Sequence, residues 1–513
     1  MTSATGSPAT VGHRGIITLC AMVGTLMQAL DSTIANVALP YMQGSLSTTY
    51  DQITWVLTSY VIAAAIMTAP SGWLANRFGR KNVFLVSVAG FTFASMLCGV
   101  AASIEQMVAF RLLQGFFGAA LVPLSQATML DIYPPERRGA AMALWGMGVM
   151  IGPIVGPTLG GYLTQAYDWR YVFFINLPFG ALTLVGLALF MPRSPRQPLR
   201  FDWTGFLALA LALGAFQMML DRGELLDWFG SYEIITEAIL AGLGAYLFLV
   251  HMATADNPFI PPVLFRDRNF VAGIIMMFAI GMVLLSSAAL LAPYLQNLAD
   301  FPVDTAGLMM APRGIGTLFA MMAAGRLTAR MDPRPLIGGG VLLISATLWW
   351  MTQWTPAVSQ TEIIVVTVIM GIGLGFVFVP VQVVSFATLP ATRRNDGTAI
   401  YSLLRNVGSA IGISVTSTLL TEMQQVNHAE IARAVTPFNR ALTSNPVAMH
   451  FLDPMTAHGA TLLNVAVNYQ SSIIAYVDDF QYMMITTLLS FPLVFLMRRP
   501  RTVTAEAHAA VLD

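Results

Sequence analysis

The chain has 513 residues, of which 56% are hydrophobic and 10% charged, and its 26 Lys and Arg balance 26 Asp and Glu. Soluble globular chains carry about 25% charged residues, so this composition excludes a soluble multidomain protein and points to a polytopic membrane protein. Cys20 and Cys98 lie inside apolar runs and offer neither a disulfide nor a metal framework.

The first apolar run, 16–39, follows His13 and Arg14. It is too long for a signal-peptide core and is read as the first membrane span. Its outer part, LMQALDSTIANVALP (Leu26–Pro40), holds one carboxylate, Asp31. From Ile16 to Asp31 is about 22 Å of helix at ~1.5 Å per residue, so a hydrocarbon core about 30 Å thick places the acid below both surfaces. An acid there costs roughly 2.5–3.5 kcal/mol or more, and such groups face a cavity, a partner or a proton path. The plainer alternative is a hydrogen bond to a neighbouring helix.

Five more spans are predicted at 53–74, 82–102, 107–130, 140–165 and 171–191. A short basic stretch, Pro192–Pro198, leads into spans at 203–220 and 234–252. The remaining six fall at 270–293, 306–329, 336–353, 361–388, 398–421 and 479–497, giving fourteen in all. The expected fold is therefore an all-α polytopic membrane protein. Residues 422–478 are read as its one long outer loop, with a helical stretch at His428–Val435 and breaks at Pro437, Pro446 and Pro454. A loop of that length is seldom a passive connection.

Placing the amino terminus in the cytoplasm puts nineteen of the 26 Lys and Arg on the cytoplasmic side and four outside (Arg170, Arg222, Arg433, Arg440). Arg111, Arg313 and Arg405 fall within spans. Both termini are thus expected to be cytoplasmic.

The chain also repeats itself. GWLANRFGRKNV from Gly72 and GRLTARMDPRPL from Gly325 share Gly, Leu and Arg at an offset of 253. Pro134, Arg137 and Arg138 match Pro390, Arg393 and Arg394 at 256, and Gly118 and Pro123 match Gly375 and Pro380 at 257. The halves are read as residues 1–191 and 270–513, each with six spans, joined by two inserted spans in 192–269. Duplicated halves of this kind place a substrate site near the bilayer midplane between them. On these offsets Asp31 aligns with Leu284 and Arg111 with Thr367, so the second half lacks both groups.

Single stretches carry physical readings of their own. Gly72–Lys81 is a tight turn whose cations anchor helix ends and phosphate headgroups. Gly148, Gly152, Gly156 and Gly160 recur every four residues, giving one smooth face for close helix contact. Pro153 and Pro157 each remove a backbone hydrogen bond and can bend that span. Arg111 lies about one turn into the fourth span and keeps its proton, so it is suited to tune the proton affinity of a nearby acid. Arg313 and Arg405 divide between helix packing and a cavity lining that would favour anionic or amphipathic compounds. No zinc, nucleotide or catalytic-triad pattern is found, so no enzyme activity, cofactor or nucleic-acid partner is expected, and energy is expected from an ion gradient.

LDSTIANVALP (Leu30–Pro40), GWLANRFGRK (Gly72–Lys81), RLLQGFFGA (Arg111–Ala119) and GMGVMIGPIVGPTLGG (Gly146–Gly161) resemble the motifs of the major facilitator superfamily. More narrowly they are similar to its fourteen-span drug:proton antiporters of the EmrB type, as is LDRGELLDWF (Leu220–Phe229). The resemblance implies two six-helix bundles, proton-driven export of hydrophobic or amphipathic toxic compounds, and a bacterial inner-membrane location. It also implies a periplasmic adaptor and an outer-membrane channel as partners. It assigns proton coupling to Asp31 and Arg111, and a substrate cavity to Gln28, Asn36, Gln114, Arg313 and Arg405. Gating falls to Gly72, Asn76, Arg77, Gly79 and Arg80, with a hinge at Gly148, Gly152, Pro153, Gly156 and Pro157. Asn76 stands where the family has Asp, so a neutral hydrogen bond is expected in place of a gate charge pair. The competing reading is a proton-coupled importer of a nutrient or metabolite, against which the Gly146–Gly161 motif argues; a membrane receptor is the third.

Overall fold

The computed structural model describes residues 13–194, 196–197, 200–256, 258–436 and 452–498, and they are helical almost throughout, with no strand among them. Helices α1 (Arg14–Ser45), α2 (Tyr50–Thr68), α3 (Ser71–Phe78), α4 (Arg80–Val100), α5 (Ile104–Gly118), α6 (Leu121–Ile132), α7 (Arg138–Ala166), α8 (Tyr171–Phe174) and α9 (Asn176–Phe190) pack on one another. Helices α10 (Trp203–Arg222) and α11 (Tyr232–Thr254) follow and pack mainly as a pair. The rest are α12 (Arg268–Pro293), α13 (Val303–Leu327), α14 (Pro333–Met351), α15 (Gln360–Ala387), α16 (Arg394–Ala434), α17 (Ala457–Ser490) and the short α18 (Leu493–Leu496). These also pack on one another, and α10 touches both α2 and α16.

Among the described residues twelve helices are long and apolar enough to cross a membrane, or thirteen if a bent pair counts as one span. The protein is a multi-pass membrane protein. The bent pair is α2 and α3, which meet at 53°. The break falls at Ala69–Pro70, where a proline with no N–H to donate stands just before α3. The remaining expected span, 336–353, corresponds to α14, a 19-residue helix outside that group. Pro333, Arg334 and Pro335 at its start and three successive glycines dilute its apolar character. Several helices begin on a side-chain cap: Thr49 accepts from Gln52 N, Ser103 from Gln106 N and Ser359 from Glu362 N. These caps satisfy amide groups that no helical carbonyl reaches.

The expected outer loop at 422–478 is largely helix. Helix α16 runs 41 residues to Ala434 and α17 begins at Ala457, twenty-two residues before the predicted last span. At ~1.5 Å per residue α16 is about 62 Å long, leaving on the order of 30 Å of it beyond a 30 Å hydrocarbon core. His428 Nε2 and Asn464 Oδ1, 3.1 Å apart, tie the two protruding arms together. The helical stretch expected at His428–Val435 falls at the end of α16, and a helix that continues past a membrane surface needs no apolar face toward lipid. Pro437, Pro446 and Arg440 lie outside the described residues.

Close backbone contact sets the packing inside each set. Helix α7 runs through Pro153 without interruption and lies on α1 along its glycine stripe; the side chain of Pro157 lies outside the described residues. At Gly152 a Cβ would sit 2.6 Å from the Ala29 carbonyl carbon and 2.7 Å from the Leu30 nitrogen. That approach holds α7 against the turn of α1 that carries Asp31.

Candidate functional site

Asp31 is fully buried in α1, as are its partners Arg111 and Gln114 of α5 and Asn176 of α9. Arg111 Nη1 donates to Asp31 Oδ2 at 2.6 Å. Gln114 Nε2 and Asn176 Nδ2 donate to Asp31 Oδ1 at 2.7 and 3.2 Å. Arg111 and Gln114 are three apart on one helix and so share a face. They are also bonded directly, Arg111 Nη1 to Gln114 Oε1 at 2.8 Å. Arg111 Nε donates to the Val56 carbonyl at 3.0 Å, and the guanidinium lies 4.3 Å from the Tyr60 ring centroid. Asn176 Nδ2 is shared with Ser95 Oγ at 3.0 Å. The carboxylate thus receives one charged and two neutral donors, and a buried pair supplied with further hydrogen bonds offsets its desolvation best.

A second polar cluster closes the seam between the two sets of helices, at the face that carries most of the basic residues. Asn76 Nδ2 donates to Asp396 Oδ1 at 2.8 Å, and Asn395 Nδ2 donates back to Asn76 Oδ1 at 2.6 Å. Arg80 donates from Nε to Asn395 Oδ1 at 2.8 Å and pairs with Asp131 at 2.7 Å. Arg394 reaches the same Asp131 at 2.5 Å. The Asn76 amide thus bonds a carboxylate through its nitrogen and a second amide through its oxygen. Gly72 permits the approach, since a Cβ there would lie 2.8 Å from the Asp396 Cα. Gly79 turns the chain at φ 87°, a left-handed conformation that favours glycine. Arg77 is exposed and makes no part of the cluster.

The residues expected in one substrate cavity stand on α1, α5, α13 and α16. Gln114 belongs to the Asp31 cluster; its amide is taken up by two charged neighbours. Gln28 is half-buried and Asn36 exposed on α1. Arg313 and Arg405 are both buried. Arg313 Nη2 donates to Ser287 Oγ at 3.0 Å and to the Leu284 carbonyl at 3.2 Å. Arg405 Nη2 donates to Asn406 Oδ1 at 3.3 Å, and its Nη1 has no partner. Neither arginine pairs with an acid among the described residues.

Sequence reasoning missed Asn176, a lone amide in the apolar stretch FINLPFG whose polarity was the available signal. It also missed Asp131, Asn395 and Asp396, which read as ordinary span-end polar residues. Asp479, placed at the edge of the last predicted span, lies well inside α17, fully buried and with both oxygens unpartnered.

Across the seam Gln126 Nε2 donates to Gln382 Oε1 at 3.3 Å; both are buried, and their numbers differ by 256. That equals the offset of the duplicated PPERR and PATRR stretches, so equivalent residues of the two halves meet. Duplicated helical halves meeting at a closed seam, one of them enclosing a charge cluster, define the architecture of a membrane transporter. The chain belongs to the Major Facilitator Superfamily, whose family model matches residues 21–413. It is 36% identical over 427 residues to the Multidrug export protein EmrB of Escherichia coli (strain K12), covering 83% of each chain. It is 34% identical over 490 residues to the Fatty acid resistance protein FarB of Neisseria gonorrhoeae, covering 94% of this chain and 96% of that one. Among solved structures it is similar in fold to the human organic anion transporter MFSD10 (TETRAN), with a TM-score of 0.63 at 14% identity over 95% of this chain and all of that one. The proton:xylose symporter XylE aligns with a TM-score of 0.57 at 14% identity, over 91% of this chain and 95% of that one.

Proposed function

We propose that this protein is a proton-coupled exporter of hydrophobic and amphipathic toxic compounds, working by alternating access between its two halves. The observation that carries this reading is the buried Asp31–Arg111 pair with its two amide donors. Arg111 keeps its proton at any working pH, so the exchangeable proton belongs to Asp31. With the seam at the basic face closed, Asp31 takes a proton from the outside as substrate leaves. Protonation removes the attraction to Arg111, frees α5 to move against α1, and favours opening of the opposite face. There the proton is released, the pair re-forms and the next substrate enters. The names of the EmrB and FarB relatives support export of drugs and lipophilic compounds.

The same reading takes α14 and the bent α2–α3 pair as spans, giving fourteen, with α10 and α11 inserted between two bundles of six. It places the basic face in the cytoplasm and the chain in a bacterial inner membrane. The protruding α16–α17 arms would then stand in the periplasm, where an adaptor leading to an outer-membrane channel would meet them.

Everted vesicles test the coupling. Asp31→Asn is expected to abolish proton-driven uptake of a fluorescent drug while the protein still folds and reaches the membrane. Uptake at the unsubstituted rate would remove Asp31 from the mechanism.

A further inference from the structure

Beside the closed seam, a cavity of about 530 Å³ opens between the α3–α4 turn and Arg193, Ser194 and Arg196. Its charged lining is entirely basic: Lys81, Arg193 and Arg196, with Asn82 and Ser194 between them and no acid. Lys81 is fixed in place, donating from Nζ to the Ala188 and Met191 carbonyls at 2.8 and 2.6 Å. An ammonium has three donors, so one remains for a ligand. Arg193 and Arg196 are exposed and form no ion pair or hydrogen bond with any described residue. Three cations held together without an acid repel one another, and an anion relieves that repulsion. The amino end of α4, without a side-chain cap, adds free N–H groups on the same side.

Next to the cavity, α4 and α9 pack together and leave Val86, Phe93, Val185 and Leu189 exposed. That strip suits acyl chains, and Lys81 ties the basic cavity to its end. We propose that the cavity holds the phosphate of an anionic phospholipid whose chains lie along the α4–α9 face. Arginine forks and lysine both suit phosphate, and the absence of any lining acid disfavours a headgroup carrying its own ammonium. The ligand also bears on gating. Gln197 N donates to the Asn76 carbonyl at 2.9 Å, and the Asn76 side chain holds Asp396 across the seam. A phosphate bridging Arg193 and Arg196 to the α3–α4 turn staples this stretch to the residue that keeps the face shut.

The test is native mass spectrometry of the full-length protein titrated with phosphatidylglycerol, phosphatidylcholine of the same chains, or inorganic phosphate. At roughly 1 kcal/mol per surface cation, the tightest phosphatidylglycerol site should weaken about 30-fold in the Arg193→Gln/Arg196→Gln double variant and about fivefold in either single variant. Arg266→Gln/Arg268→Gln, on a different basic stretch, should retain it. Equal retention by the double variant, or equal affinity for phosphatidylcholine, overturns the site. Millimolar inorganic phosphate displacing the lipid would assign the cavity to a free anion and overturn the lipid. Binding is read without transport, so this result stands or falls separately from the export cycle.

Discussion

The two halves share their backbone contacts and differ in their chemistry. Helix α7 packs on α1 through Gly148 and Gly152, and α16 packs on α12 through Gly408 and Gly412. Across the seam Gly72 meets Asn395 and Asp396, and its repeat Gly325 meets Gly139 and Ala140. Several polar groups of the two clusters were not kept in duplicate. Asp31 corresponds to Leu284, Arg111 to Thr367, Asn76 to Ala329, Arg80 to Pro333 and Asp131 to Ala387. Arg313 even donates to the carbonyl of Leu284, the position where the first half has its acid. Duplication has preserved what close helix packing requires, while the first half holds a buried acid–arginine pair and the latch draws Arg80 and Asp131 from the first half and Arg394 and Asp396 from the second. A rocking mechanism needs two similar bodies, but only one of them must sense the proton.

The largest expected effect sharpens this at the cluster itself. Arg111→Leu leaves Asp31 buried without its cation, and breaking a buried pair from one side costs about 3–5 kcal/mol. Asp31→Leu/Arg111→Leu removes both charges, as in the second half, where Leu284 and Thr367 stand at the two positions. Replacing both members with apolar groups is commonly neutral or stabilising. Thermal unfolding in detergent should therefore show the single variant strongly destabilised and the double variant near the unsubstituted protein, with proton-driven transport lost in both. A double variant as unstable as the single one would mean that the first half needs this pair to fold, and the comparison would fail.

The latch comes next. Asn76→Asp would set a carboxylate against Asp396, now 2.8 Å from the amide nitrogen. Losing a hydrogen bond to a charged group costs about 1.5–3 kcal/mol, and like-charge repulsion adds to that. Labelling of Thr398→Cys, at a position fully buried beside Asn395, should accelerate on the order of tenfold or more. The repeat substitution, Ala329→Asp, has no acid facing it in the repeated contact and should change labelling by less than about twofold. Equal effects at the two sites would show a symmetric latch.

Much of this was legible in the sequence because it rests on one-dimensional signals. Apolar runs and basic loops located most spans, and Asp31 and Arg111 stood out because a charge inside an apolar run is costly wherever it sits. Their contact was not legible: Arg111 and Asp31 are eighty residues apart, and three helix packings bring Gln114 and Asn176 to them. Gln114 was expected in the cavity because nothing in the sequence tells which face of a span turns toward the other half. The full length of the α16–α17 arms was not legible beyond the helix expected at His428–Val435, because hydropathy reports lipid contact, and a helix that continues into water has none.

Glycine provides a smaller test of what the halves share. A Cβ at Gly152 would approach backbone atoms at 2.6 Å, and one at Gly412 at 2.4 Å. Gly152→Ala and Gly412→Ala should each destabilise by about 1–3 kcal/mol, the usual cost of overpacking. Gly307→Ala, where nothing lies within 4 Å, should stabilise α13 by up to about 1 kcal/mol through helix propensity. Unequal costs at Gly152 and Gly412 would show that the packing is not duplicated as the geometry indicates.

The smallest expected effect is the sharpest test of asymmetry, because it concerns the acid sunk in α17 of the second half. Asp479 is buried, has no hydrogen-bond partner on either oxygen, and faces no cation within ion-pair distance among the described residues. In the proposed cycle Arg111 gives Asp31 two distinguishable states, paired and parted. Asp479 has no such partner to release, so a proton gained or lost there has no helix to move. An amide of the same shape also avoids the cost of burying an unpaired charge. Asp479→Asn should therefore keep proton-driven transport within about twofold of the unsubstituted protein, while Asp31→Asn abolishes it. If both substitutions abolished vesicle transport with folding intact, coupling would be divided between the halves, and the second would hold a proton site that owes nothing to the duplication.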